Sequence, residues 1–314
     1  MGRASIRMST PEQRLDKATA SMSASSGLAP ILGHLRAEPS RTWSLIITLY
    51  GDAIVPRGET LWLGTLLEIF EALGIGGNVV RTAMSRLTAD GWLERRRIGR
   101  NSYYRLAEKG RETFADAERR IYFGHPPTWD GTIHVAVLDT RLGAAEREAV
   151  RAALQARGYA VLAPGILVAA VPRTGAAVPG HAIALQATTK PEDARRLAAQ
   201  VWPTQRLEQG YQRFDAAFTP LRDAMSRRSM PSGLDALIAR LLLVHEYRRL
   251  VLRDPMLPKA LLPPGWPGHA ARMLCQALYP ALLPPSERWL DEHALNEDGR
   301  LPPPDPAIYT RLRT

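Results

Sequence analysis

The chain has 314 residues and carries a net charge of +10; its 45% hydrophobic and 23% charged residues are ordinary for a globular protein of two or three domains. A single cysteine, Cys275, excludes an internal disulfide framework and a multi-cysteine zinc site. The uncharged run Gly158–Pro172 is broken by Pro164-Gly165 and is shorter than the ~20 apolar residues of a membrane span, so a reduced, cytoplasmic protein with no membrane partner is expected.

The first thirty residues are polar, basic and rich in Ser and Ala, without the apolar core of a signal peptide; residues 1–40 are predicted to be a disordered arm. In RTWSLIITLYGDAIV, Leu45, Ile46, Leu49 and Ala53 share one helical face. Pro56, Arg57 and Gly58 predict a turn, and TLWL (60–63) a short strand. Gly64–Leu73 then has helical spacing, which GIGGN ends. Over residues 79–90 a step of ~100° per residue gathers Val80, Ala83, Met84 and Leu87 on one face. The opposite face holds Asn78, Thr82, Ser85 and Ala89, flanked by Arg81 and Arg86. Gly91 ends this helix, and WLERRRI and SYYRL predict two strands joined at Gly99-Arg100-Asn101.

Residues 78–111 hold nine Lys/Arg against three acids, so the charge is concentrated in this one unit. Helix, short strand, helix, turn, helix and basic hairpin, over residues 41–123, is the order of a winged helix-turn-helix. Its third helix would enter the major groove, with Asn78, Arg81, Thr82, Ser85 and Arg86 nearest the bases. The hairpin would be the wing, carrying Arg95, Arg96, Arg97, Arg100, Asn101 and Tyr103 to phosphates or the minor groove. A hairpin serving only solubility, or an RNA-binding face, is the competing reading; agreement of pattern and charge in one register favours double-stranded DNA.

TIHVAVLD (132–139), the amphipathic Ala144–Arg157, YAVLA, ILVAAV and AIALQA read as β-α-β-β-β, a ferredoxin-like sandwich over 128–207. The loop 172–181 is too short for that fold's second helix. Such a sheet pairs readily with its copy, and two half-sites sharpen operator recognition, so a homodimer on a palindromic operator is expected. Residues 191–254 are mostly helical, and 255–314 are proline-rich with one helix near 268–283. A helical C-terminal domain over 208–290 and an irregular tail over 291–314 complete an α+β multidomain chain.

Three segments together resemble the PaaX family: LYGDAIVPRGETLWLG (49–64), VRTAMSRLTADGWLERRRIGRNSYYRL (80–106) and VHEYRRLVLRDPMLPKALLPPGWPG (244–268). The resemblance spans most of 41–283. It implies a bacterial transcriptional repressor of phenylacetate-type catabolism with a winged helix, a Cas2-like ferredoxin middle domain and a helical C-terminal domain, released by an aryl-CoA such as phenylacetyl-CoA. In this light Arg248, Arg249 and Arg253 are candidates for effector phosphates, since guanidinium groups grip phosphate bidentately. His245, Tyr247 and Trp266 are candidates for the rest of that site, and Tyr279 is another aromatic that could line it. Alternatively Glu246 and Arg249 form a helix pair at i,i+3 and the aromatics simply pack.

His245-Glu246 begins an HExxH motif, but position 249 is Arg, so no metal spacing exists. Asp139 occupies the strand end where Cas2-like nucleases carry an acid; a turn-opening Asp is the simpler reading, because two-metal chemistry needs several carboxylates. Cys275 sits among apolar neighbours and reads as inert core. No catalytic triad or GxGxxG appears, so no enzyme and no cofactor are expected. A metal-dependent phosphodiesterase fused to a DNA-binding module and a ligand-blind DNA-binding protein are the alternatives.

Overall fold

The computed structural model describes residues 28–37, 40–172, 180–227 and 229–313, and has the mixed α+β character expected. It divides into two compact units. One draws on Met1–Phe123, Gln212–Arg249 and His269–Thr314; the other on Gly124–Tyr211 and Leu250–Gly268.

The first unit begins with α1 (Leu28–Ala37), inside the segment expected to be disordered; its Leu28, Ile31 and Leu32 are buried. Helix α2 (Thr42–Leu49) buries Leu45, Ile46 and Leu49 as its periodicity demands. It does not run regularly to Val55: the chain widens into a π turn at Tyr50–Ile54 and tightens into a 3-10 turn at Val55–Arg57. Gly58 and Glu59 then turn the chain at positive φ (86° and 69°). Strand β1 (Thr60–Trp62), helix α3 (Leu63–Ala72) and helix α4 (Gly77–Ala89) follow. Gly91 ends the α4 connection at φ 74°, a conformation that glycine adopts at no steric cost.

Strands β2 (Leu93–Ile98) and β3 (Asn101–Leu106) form the hairpin, and β1 adds to the far side of β3, giving the order β1-β3-β2. Asn101 pairs with Ile98, so the turn is the two residues Gly99-Arg100, with Gly99 at φ 59°. The register places Leu93, Leu106 and Tyr104 on the core face. Helix α5 (Glu108–Glu118) and a π turn at Arg119–Phe123 close this segment.

In the second unit, β4 (Thr132–Leu138), α6 (Ala144–Ala156), β5 (Ala160–Ala163), β6 (Ile166–Ala169) and β7 (Ala182–Thr188) build an antiparallel sheet of order β5-β6-β4-β7. Leu154, Val150 and Leu142 pack on Ala136, Leu138, Leu167 and Ala169 of the sheet. A second cluster joins Ala194 and Ala198 of α7 (Pro191–Val201) to Ala170, Leu257, Leu261 and Leu262, with Trp129, Trp202 and Trp266 at its rim. Residues 173–179 of the predicted loop lie outside the described residues.

Long helices α8 (Gln205–Ser226), α9 (Gly233–Val251) and α10 (Pro267–His293) complete the C-terminal half. Helix α10 contains Pro280 and runs ten residues past the predicted end, through Pro284 and Pro285. Each proline removes one helical N–H. Burial of Leu282, Leu283, Ser286, Glu287 and Leu290 within the first unit outweighs that loss. Nor is the tail irregular throughout. A small hairpin of β8 (Leu295–Asn296) and β9 (Gly299–Arg300) precedes a 3-10 turn at Pro306–Thr310, and Leu301, Ile308 and Leu312 are buried.

Candidate nucleic-acid interface

Helix α4 is anchored by Val80, Ala83, Met84 and Leu87, all buried. That fixes its opposite face outward, and Asn78, Arg81, Thr82, Ser85 and Arg86 are all exposed. The Thr82 hydroxyl donates to the Asn78 carbonyl at 2.9 Å. Arg86 lies 3.6 Å from Asp90 one turn on, with both side chains more than half exposed, a pairing that water screens to little net energy.

The hairpin presents its cations on both faces. Arg95 donates to Ser102 Oγ (2.9 Å) and Arg97 to the Gly99 carbonyl (3.3 Å). Arg96, opposite Tyr103, lies 3.7 Å from Glu297 but is largely exposed. Asn101 donates to the half-buried Tyr103 hydroxyl at 3.5 Å, and Arg100 is exposed at the turn. Two other arginines of the basic run are less open: Glu59 lies 3.6 Å from Arg105 and 3.2 Å from Arg111, and Arg111 also donates to the Leu106 carbonyl. All eleven predicted contact residues therefore sit on α4 or the hairpin. The sequence pattern did not single out Val79 and Ile98, the two large apolar side chains exposed on these same elements (53% and 43%).

A second arginine cluster lies inside the same unit. Arg57 is fully buried; its Nε donates to Glu287 Oε2 at 2.7 Å, its Nη2 to the same oxygen at 2.5 Å, and its Nη1 to the Pro302 carbonyl at 2.9 Å. Arg240, also fully buried, pairs with Asp52 (2.7 Å) and with Glu287, and donates to Ser286 Oγ (3.1 Å). Asp52 further accepts from the Tyr122 and Tyr279 hydroxyls at 2.7 and 2.9 Å. Arg311 donates to the Asp52 carbonyl (2.8 Å) and Glu118 (2.6 Å), and stacks over Tyr122. Burial pushes the Tyr279 phenol upward, so it stays a hydroxyl donor. Arg57 read as a turn residue and Asp52 as part of the first helix, because their opposite charges stand far away in the chain, Glu287 230 residues from Arg57 and Arg240 188 from Asp52. Charges set inside the apolar phrase DAIVPR were the available signal.

The candidate effector residues divide between the units. In the first, His245 is completely buried, with Nδ1 2.8 Å from Thr48 Oγ1 and Nε2 2.9 Å from Ser40 Oγ. Thr48 gives its proton to the Ser44 carbonyl, so His245 donates from Nδ1 and accepts at Nε2. Desolvation lowers its pKa to about 3, which keeps the ring neutral. Tyr247 is buried against Phe214. Arg248 donates to the Ser44 hydroxyl and carbonyl; Arg249 binds Glu246 and Ser40. Glu246 is buried, so the i,i+3 pair is not at the helix surface. Arg253 is exposed in the second unit, where Trp266 packs edge-on against Tyr211. Tyr279 belongs to the Asp52 cluster and Cys275 is buried, its thiol pKa raised by burial.

Asp139 accepts from the Arg141 backbone (2.9 Å) and side chain (2.8 Å); those hydrogen bonds hold its pKa at about 2. This is a turn-opening aspartate. Among the described residues no cluster of three metal-ligating side chains occurs, and no helix is long and apolar enough to cross a membrane.

An α+β protein with an open basic helix and hairpin, braced by a buried ionic cluster, is the class these observations define. The family model described as PaaX-like protein matches residues 41–110, and that of the PaaX-like protein C-terminal domain matches 202–292. Over 291 residues the chain is 34% identical to the transcriptional repressor PaaX of Escherichia coli (strain K12), covering 88% of this chain and 92% of that one. An uncharacterized protein, Rv0674 from Mycobacterium tuberculosis, is similar in structure with a TM-score of 0.45 and 21% identity, over 70% of this chain and 87% of that one. The chain belongs to the PaaX-like family.

Proposed function

We propose that this protein is a transcriptional repressor that binds double-stranded operator DNA and is released by an aryl-CoA effector. The observation that carries the DNA-binding half is the register of α4: a fully buried apolar face fixes an exposed polar face framed by Arg81 and Arg86, beside a hairpin rich in exposed arginines. Helices α2, α3 and α4 with the three-stranded sheet correspond to a winged helix-turn-helix, α4 entering the major groove and the hairpin acting as wing. Arg81 and Arg86 read base edges; Arg96, Arg97 and Arg100 contact phosphates. The likeness to a relative named a transcriptional repressor supports regulation as the purpose of that binding, and a regulator in place of an enzyme.

The second unit serves as the dimerisation domain. Its strand order β5-β6-β4-β7 supports a ferredoxin-like sheet that lacks a helix between β6 and β7 among the described residues. Ile183 and Leu185 of edge strand β7 are exposed (63% and 50%), an apolar edge suited to a second copy. Two copies then address two half-sites of a palindromic operator. Phenylacetyl-CoA or a related thioester binds the DNA-incompetent arrangement more tightly, with a coupling of ~1–3 kcal/mol. Arg253 is the exposed candidate for its phosphates, Arg248 and Arg249 being already hydrogen-bonded.

A gel-shift titration on DNA upstream of the protein's own gene, with scrambled competitor, tests the proposal. Aryl- and acyl-CoA thioesters and free acids are then added. Selective binding released by one thioester is expected. Selective binding that no compound disturbs removes the effector half, and loss of selectivity removes the repressor.

A further inference from the structure

Two features of α4 are unexplained by phosphate contacts or by arginine readout of bases. Val79 leaves 53% of its surface in water in the first turn of a helix whose other valine, Val80, is completely buried. The Thr82 hydroxyl proton is already engaged, donated to the Asn78 carbonyl at 2.9 Å. With its proton engaged by the backbone, Thr82 offers a partner its γ-methyl group and, at Oγ1, acceptor lone pairs only. Val79, Thr82 and Arg86 stand at i, i+3 and i+7 and so form one ridge along the exposed side. That ridge is apolar at its N-terminal end and cationic at its C-terminal end.

We infer that Val79 and the Thr82 methyl form a thymine-specific contact, packing on the C5-methyl group that distinguishes thymine in the major groove. This rests on the DNA-binding reading above and adds a specificity determinant to it. Val79 cannot serve a phosphate, Thr82 could do so only by giving up its bond to the Asn78 carbonyl, and an exposed β-branched residue is a poor choice for a solvated helix start. Both features are accounted for if the ridge meets a surface that carries a methyl group. Between Val79 and Arg86 the helix rises about 1.5 Å per residue, so the thymine lies within about three base pairs of the base that Arg86 reads.

The test uses the full-length protein and the preferred site selected from a random duplex library. Each thymine of that site is replaced in turn by deoxyuridine, which deletes the methyl and leaves every hydrogen-bonding group in place. One position per half-site is expected to lose about fourfold in affinity, the factor that burial of one methyl-sized group carries. In V79A combined with T82S, which keeps the hydroxyl, that position is expected to become indifferent to the methyl. The arginine-dependent positions stay unchanged. If every deoxyuridine site binds within 1.5-fold of the parent, or the double variant keeps the same methyl preference, the inference fails while the DNA-binding reading stands. If the selection enriches no site at all, both fall.

Discussion

The first unit holds two groups of arginines that composition alone cannot separate. Arg81, Arg86, Arg96, Arg97 and Arg100 are exposed, and their acidic neighbours are few, distant or themselves exposed. Arg57, Arg240 and Arg311 are buried, and each is matched by at least one carboxylate at close range. In the low-dielectric interior an unpaired guanidinium would be prohibitive, so these three come with carboxylates, and Arg240 and Arg311 also with a tyrosine ring. In water the exposed set is cheap to keep free, and freedom is what a phosphate or a base edge requires. Position relative to the core, more than residue type, separates an arginine that holds the fold from one left free to meet a partner.

The largest effect expected from breaking this contrast is on stability. Arg240→Ala leaves Asp52 and Glu287 as buried charges without their shared partner, and should cost about 3–5 kcal/mol in chemical denaturation. Glu287→Ala should cost less, because Arg240 keeps Asp52 and Arg57 keeps Asp291 when their shared carboxylate is lost. Arg81→Ala or Arg86→Ala should leave the unfolding midpoint within about 0.5 kcal/mol of wild type. Each should weaken operator binding by about 1–3 kcal/mol and relax specificity at one base pair. Smaller still, Arg97→Ala or Arg100→Ala should weaken binding to all sequences alike, and lower the slope of log affinity against log salt by about 1. Replacing Ile183 and Leu185 by Lys should yield monomers in sedimentation velocity and bring the affinity for a two-half-site operator down toward that for one.

A pH titration adds a test confined to the interior. His245 is neutral in the folded protein with a pKa near 3, against about 6.5 when unfolded, so protons favour the unfolded chain. Its contribution is intact above pH 6.5 and is lost progressively as the pH falls from there toward 3. In His245→Gln the fall in unfolding midpoint between pH 6.5 and about 4.5 should flatten. A curve identical to wild type would show that the ring is not held neutral.

The basic face was legible in the sequence because its determinants are local. Four apolar residues at helical spacing fix α4, alternation fixes the register of the hairpin, and Gly91 and Gly99 mark the turns. The buried cluster was not legible, because the acids that neutralise Arg57 and Arg240 come from chain segments far away: Glu287 stands 230 residues from Arg57, and Asp52 188 residues from Arg240. The same holds for α10, where Pro284 and Pro285 argue locally for a stop and long-range packing overrules them. His245 is a third case. HEYRR left open an effector site or a helix-surface pair, whereas Thr48 and Ser40, two hundred residues earlier, enclose the ring. Val79 was within reach, since helical spacing puts it beside Arg86, but apolar residues invite assignment to the core.

The most direct test of the division between the two arginine sets is a paired measurement on R81A/R86A: thermal unfolding midpoint and operator affinity, at one salt concentration. An unchanged midpoint with affinity reduced about a hundredfold or more is the predicted result. An unchanged midpoint with undiminished affinity would contradict the account, because the exposed face of α4 would then not be the surface that reads DNA.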